Sequence, residues 1–101
     1  MNAFLSAGKD LNLSTKEIEL NGFAQGFKTI WLSIAEKMQL GYDLGINLNA
    51  GAEYANHPVY IFIYDDAVGK FTPYTETIVS ESGNVGFYTR RLTDFIVMIA
   101  Q

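Results

Sequence analysis

The chain has 101 residues, 49% of them hydrophobic and 14% aromatic, which is enough apolar material for one ordered domain spanning 1–101. Its formal charge is −4, its lysines are scattered, and Arg90-Arg91 is the lone basic pair, which excludes a counterion-displacing nucleic-acid surface. The absence of cysteine excludes disulfides, thiolate catalysis and cysteine-based metal sites.

Met1 to Leu13 is weakly patterned and is expected to form a short helical turn or an edge segment. It lacks the basic-then-apolar pattern of a signal peptide. No apolar run approaches the ~20 residues that span a bilayer. A cytoplasmic protein with no membrane partner is therefore expected.

Ser14 and Glu17 have the S-x-x-E spacing of a capping box, and Leu13 and Ile18 can form the accompanying hydrophobic staple. Leu20, Phe23, Ala24, Phe27, Ile30, Trp31, Ile34, Ala35 and Met38 then follow in steps of three and four, the stripe of an amphipathic helix. Lys37 suits the last turn and Gly41 the C′ position. The spacing predicts a helix over 14–40 that buries Phe27, Trp31 and Ile34 and leaves Leu32 on an exposed flank. Gly22 and Gly26 within it would let a neighbouring segment approach.

Residues 42–55 alternate strictly. Leu44, Ile46, Leu48, Ala50, Ala52 and Tyr54 share one parity, and Asp43, Gly45, Asn47, Asn49, Gly51 and Glu53 the other. That predicts a long strand with one dry and one wet face. Asn56-His57-Pro58 reads as a turn. Val59 to Tyr64 is apolar on both parities, as in a central strand. Residues 65–70 read as a hairpin loop, and Phe71 to Ser80 as a strand whose Thr72-Pro73 marks an edge or a bulge. Ser82-Gly83-Asn84 signals a second hairpin before a strand over Val85 to Arg90. Residues 91–94 fit a turn, a bulge or continuing strand, and Phe95 to Ala100 reads as strand, with helix as the open alternative.

This order predicts an α+β fold: one long N-terminal helix packed on a curled four- to five-stranded antiparallel meander. The element order resembles cystatin-like and monellin-like domains. The Q-x-V-x-G with which cystatins bind proteases is absent, so the resemblance implies a fold and no function.

Chemistry-bearing groups are sparse. His57 is the sole histidine and sits in a predicted turn, without a second imidazole for a metal site. Asp65-Asp66 lacks the spacing of a calcium loop. Asp43 and Glu53 would stand ~30 Å apart along an extended strand, too far to act as a pair. Glu76 and Glu81 suit ordinary cross-strand pairing with Arg90 or Arg91. No catalytic residue, metal or cofactor is expected.

The expected function is non-catalytic protein binding by an inhibitor or antagonist, of the kind that phages and mobile elements encode against a nucleic-acid-binding defence complex (anti-CRISPR-like). The expected contacts are Asp43, Asn47, Asn49, Glu53, Asp65 and Asp66, with Tyr54 and Tyr64, facing a partner with a basic surface. Two alternatives stay open. One is a small-molecule-binding domain or modest enzyme with an aromatic pocket of Trp31, Tyr60, Phe62 and Tyr64 between helix and sheet. The other is a structural subunit that forms homodimers through a strand edge.

Overall fold

Alternation with a period of two, not helical periodicity, governs residues 27–34. The computed structural model describes residues 3–6, 13–18, 26–34 and 37–101, with side chains for the last two stretches. In place of the predicted helix over 14–40 lie β2 (Leu13–Ile18), β3 (Phe27–Ile34) and the start of β4 (Met38–Asn49). A further strand, β1 (Ala3–Ser6), precedes them, where the sequence suggested a turn or an edge segment. The remaining stripe positions Leu20, Phe23, Ala24 and Ala35, like Gly22, lie outside the described residues.

The physical reason is visible in β3. Its even positions Ile30, Leu32 and Ile34 are buried, while Trp31 on the odd parity is 36% exposed. The helical stripe Phe27-Ile30-Trp31-Ile34 thus takes two residues from each face of a strand. Leu32, expected on an exposed flank, is 0% exposed, and Trp31, expected in the core, is at the surface. Gly26 has φ +85°, a left-handed conformation that interrupts any helix and turns the chain into β3.

The expected strand over 42–55 is displaced towards the N-terminus. It keeps its parity: Leu44, Ile46, Leu48 and Ala50 are buried. It starts at Met38, so Gly41 lies within a strand instead of capping a helix. It ends at Asn49, after which Ala52–Tyr54 forms a 3-10 turn. The remaining strands are β5 (Pro58–Asp65), β6 (Lys70–Ile78), β7 (Asn84–Leu92) and β8 (Phe95–Ala100).

These strands form two sheets, not one meander. The three-stranded sheet runs β1-β4-β7, with β1 parallel to β4 and β4 antiparallel to β7. The five-stranded sheet runs β2-β3-β8-β5-β6, antiparallel throughout. The architecture is therefore all-β, with no long helix among the described residues, and the α+β expectation is corrected. No helix of the described residues is long and apolar enough to cross a membrane.

The inner faces meet in one apolar core. Ile30, Leu32 and Ile34 of β3, Val59, Ile61 and Ile63 of β5, and Phe95, Val97 and Ile99 of β8 come from one sheet. Ile46 and Leu48 of β4 and Val85 and Phe87 of β7 come from the other. Phe87 and Phe95 join the layers edge to face at 5.0 Å between centroids.

The turn at 80–84 does not close a hairpin within one sheet. β6 and β7 leave it for different sheets. Gly83 is required there by both conformation and space: its φ is +86°, and a Cβ would lie 2.5 Å from the Gly51 carbonyl carbon. The close approach lets the Gly83 carbonyl accept from the Ala50 N–H at 2.8 Å and tie the end of β4 to the turn.

Candidate protein-contact surfaces

A two-layer β fold has two outer faces, and here they differ in chemistry. On the three-stranded sheet the outer parity of β4 and β7 carries Gly45, Asn47, Asn49, Asn84, Gly86 and Tyr88. Asn49 Nδ2 donates to Asn84 Oδ1 at 3.2 Å. Nearby, Arg90 Nε donates to Asp43 Oδ1 at 3.0 Å, with both side chains exposed. Asn47 and Asn49 of the wet parity read from the sequence lie here, whereas Gly45 is buried and Gly51 and Glu53 lie past the end of β4.

On the five-stranded sheet, strand register aligns Trp31 of β3, Ile96 of β8, Phe62 of β5 and Pro73 of β6 in one cross-strand row. The next row holds Thr29, Met98, Tyr60 and Glu76. Phe27 packs on Tyr60 at 5.9 Å, Trp31 on Phe71 at 5.6 Å, and Tyr64 on Phe71 at 5.3 Å, all edge to face. Ile96 and Met98 are almost dry although they point outward, because they lie mid-sheet between these larger side chains. Ile78, in β6, is 61% exposed.

The aromatic face is anchored at one end by Asp94. Its Oδ2 accepts from Trp31 Nε1 at 3.1 Å, its Oδ1 accepts from the Ile34 N–H at 3.3 Å, and Lys37 Nζ lies 3.6 Å away. One carboxylate thus fixes the indole, the end of β3 and the approach to β4. Sequence reasoning missed Asp94, although its place just before the β8 apolar run marks it as a turn residue.

The expected contact residues fall in several places. Asp43, Asn47 and Asn49 lie on β4 and Asn47 and Asn49 share its outer parity. Glu53 and Tyr54 lie on the 3-10 turn past its end, where Lys28 Nζ stands 5.0 Å over the Tyr54 ring. Asp65 and Asp66 start the β5–β6 loop, where Asp65 Oδ1 accepts from the Ala67 N–H at 2.9 Å. Tyr64 is on the opposite sheet, among the aromatic rings. The structure therefore does not gather all of them on one side of one sheet. Trp31, Tyr60, Phe62 and Tyr64 do come together, side by side on an outer face and with no helix above them among the described residues.

Elsewhere, the His57 imidazole edge packs on Tyr54 at 5.7 Å, and Nδ1 lies 2.7 Å from the Ala100 carbonyl. A carbonyl only accepts, so Nδ1 carries the proton, and the ring ties the turn before β5 to the end of β8. Asp65, Asp66, Lys37 and Arg91 border an open depression of about 390 Å³. Among the described residues no group of three or more His, Cys, Asp or Glu side chains is placed to hold a metal.

No family model matches the chain, and no curated protein matches it. Solved structures do share the fold. A glycoside hydrolase family 44 endoglucanase from Clostridium acetobutylium matches over 91% of this chain and 17% of its own, with TM-score 0.64 and 13% identity. A family 44 xyloglucanase from Paenibacillus polymyxa, solved with xyloglucan, matches over 92% of this chain and 18% of its own, with TM-score 0.63 and 9% identity. The family 44 endoglucanase from Clostridium thermocellum matches over 90% and 17%, with TM-score 0.62 and 13% identity. The chain thus spans about a sixth of the length of these neighbours, and at such identities the likeness shows the fold alone.

Proposed function

We propose that the chain is a non-catalytic binding module, and that it contacts another protein through the outer face of the five-stranded sheet. The observation that carries this reading is the contrast between the two outer faces. One is a field of asparagine and glycine with Tyr88 and an exposed ion pair; the other is mainly aromatic and aliphatic across β3, β8, β5 and β6, with Thr29 and Glu76 among its larger rings. Four strands at ~4.8 Å spacing, each contributing ~20 Å of length, give a face of roughly 400 Å². Patches of that size on soluble proteins are often functional.

The ring geometry favours a protein partner. The neighbours in the fold act on polysaccharides, and a sugar ring stacks best on aromatic faces lying flat and open. Here adjacent rings stand nearly perpendicular, at 75°, 87° and 72°, so that in each pair the edge of one ring meets the face of the other. Such interlocked edges and aliphatic groups suit the irregular apolar surface of a folded protein. Two copies would each bring a formal charge of −4 to the contact, which disfavours self-pairing and favours a neutral or basic partner. The cytoplasmic setting expected from the sequence belongs with this reading, because a cysteine-free contact module needs no oxidising compartment.

Tyr60 is partly exposed in the middle of the apolar face, and Asn47 occupies the corresponding place on the polar one. Tyr60→Arg should remove the partner from affinity captures made in source cells, whereas Asn47→Arg should retain it. Loss with Asn47→Arg and retention with Tyr60→Arg would transfer the contact to the polar face.

A further inference from the structure

We infer that the seam between β6 and β7 is a docking slot for one extended segment of a partner protein, which adds as a strand between the two sheet edges. This goes beyond the face-to-face contact proposed above and rests on the backbone edges of β6 and β7. β6 and β7 leave the turn at 80–84 as the two arms of a hairpin begin. The Ser80 N–H donates to the Asn84 carbonyl at 2.9 Å, and the Asn84 N–H donates to Ser80 Oγ at 3.1 Å. The arms then diverge into different sheets, each as the edge strand there among the described residues.

Backbone groups alternate sides along a strand, which gives the direction of every peptide in the seam. Val79 turns its N–H and carbonyl towards the β5 side, where they meet His57 and Asn56. Glu76 and Ile78, on the parity of Ser80, therefore turn theirs into the seam. On the facing wall, Asn84 points at Ser80 and the Tyr88 carbonyl accepts from Tyr74 Oη at 3.0 Å, so Gly86 between them also faces the seam. There the Tyr74 side chain, not a backbone ladder, joins β6 to β7, which do not pair with each other beyond the turn.

A groove of about 450 Å³ lies between these edges, with Thr75 and Thr77 on one side and Phe87 on the other. Glu76, Ile78 and Gly86 are all exposed. Open N–H and carbonyl groups on both walls call for an extended chain, the mode of strand addition. Phe87 and Ile78 call for apolar or β-branched residues in it. Glu76, the carboxylate at the groove, calls for a lysine or arginine opposite, in line with the −4 charge of the chain.

The test is selection of nine-residue peptides from a random display library against the full chain, with affinities by fluorescence anisotropy and mapping by amide NMR. The expected peptides alternate apolar residues and carry one basic residue, and they shift the amides of Glu76, Ile78 and Gly86. Gly86→Pro removes the N–H that faces the seam while leaving the bonds to β4, a position where edge strands tolerate proline. It should weaken binding at least tenfold. If that variant fails to fold, Ile78→Pro tests the other wall in the same way. An empty selection, peptides that bind the proline variants as well as the parent, shifts confined to another surface, or pairing of two copies through this edge would each overturn the proposal. Trp31→Arg, which tests the apolar face from β3 and lies away from Glu76, should leave peptide affinity within twofold, so the two readings fail separately.

Discussion

Trp31 and Leu32 show how one residue's displacement inverts a surface. In a helix with the stripe Phe27-Ile30-Trp31-Ile34 the indole is core and the leucine is flank. In a strand the assignments exchange, because neighbouring side chains point to opposite faces. Leu32 is fully buried in the core between the sheets, and Trp31 stands on the outer face with its Nε1 on Asp94. Leu32→Ala should therefore cost ~2–5 kcal/mol in urea denaturation, the range for a large buried aliphatic truncated to leave a cavity. Trp31→Ala should cost less, about 1–2 kcal/mol, since over a third of the indole is already in water. The reverse ranking would contradict this assignment of the two faces of β3. The signal was present in the sequence: Leu32 was the misfit of the helical stripe, and Thr29-Ile30-Trp31 is β-branched and aromatic.

At the scale of elements, the strands after residue 40 were largely legible. Leu44, Ile46 and Leu48 announced the dry face of β4, and the double-sided apolar run Val59 to Tyr64 announced an interior strand, which β5 is. Pro73 announced both the edge position of β6 and the register shift opposite Ile61 and Phe62. Two things were not legible. Ser14 and Glu17 have capping-box spacing but pair with Ser33 and Ile30 in a ladder, because a local cap worth ~1 kcal/mol yields to long-range pairing. The turn at Gly83 looks like a hairpin from its own residues, and nothing local says that its arms part. Its dependence on glycine is testable. Gly83→Ala should destabilise by more than ~1 kcal/mol, since its positive φ and contact with the Gly51–Ala52 backbone leave no room for a Cβ. Gly86→Ala is the control: its added Cβ meets only ordinary contacts at 3.8 Å, and it should change the melting free energy by a few tenths of a kcal/mol. Equal losses in the two variants would remove the special role of the 80–84 turn.

Across the whole molecule, the division into two sheets decides which surfaces exist. A single sheet under a helix would have offered one open face, and the expected contacts on β4, the 65–70 loop and Tyr64 would have shared it. The division assigns Asn47 and Asn49 to one layer and Tyr64 to the other. The residues of the site were therefore readable as candidates, but their grouping was not, because grouping follows strand order. That order is set by non-local pairings such as β3 with β8, sixty and more residues apart, which leave no local trace. The asymmetry of the two outer faces is the central property of the fold for function. It is tested most directly by placing a photo-crosslinking side chain at Tyr60 in one variant and at Asn49 in another, irradiating both in source cells, and comparing the covalent adducts. Adducts to a partner protein from the Tyr60 position, with none from Asn49, are the predicted result. Adducts from Asn49 alone would contradict it and make the polar face of the three-stranded sheet the contact surface.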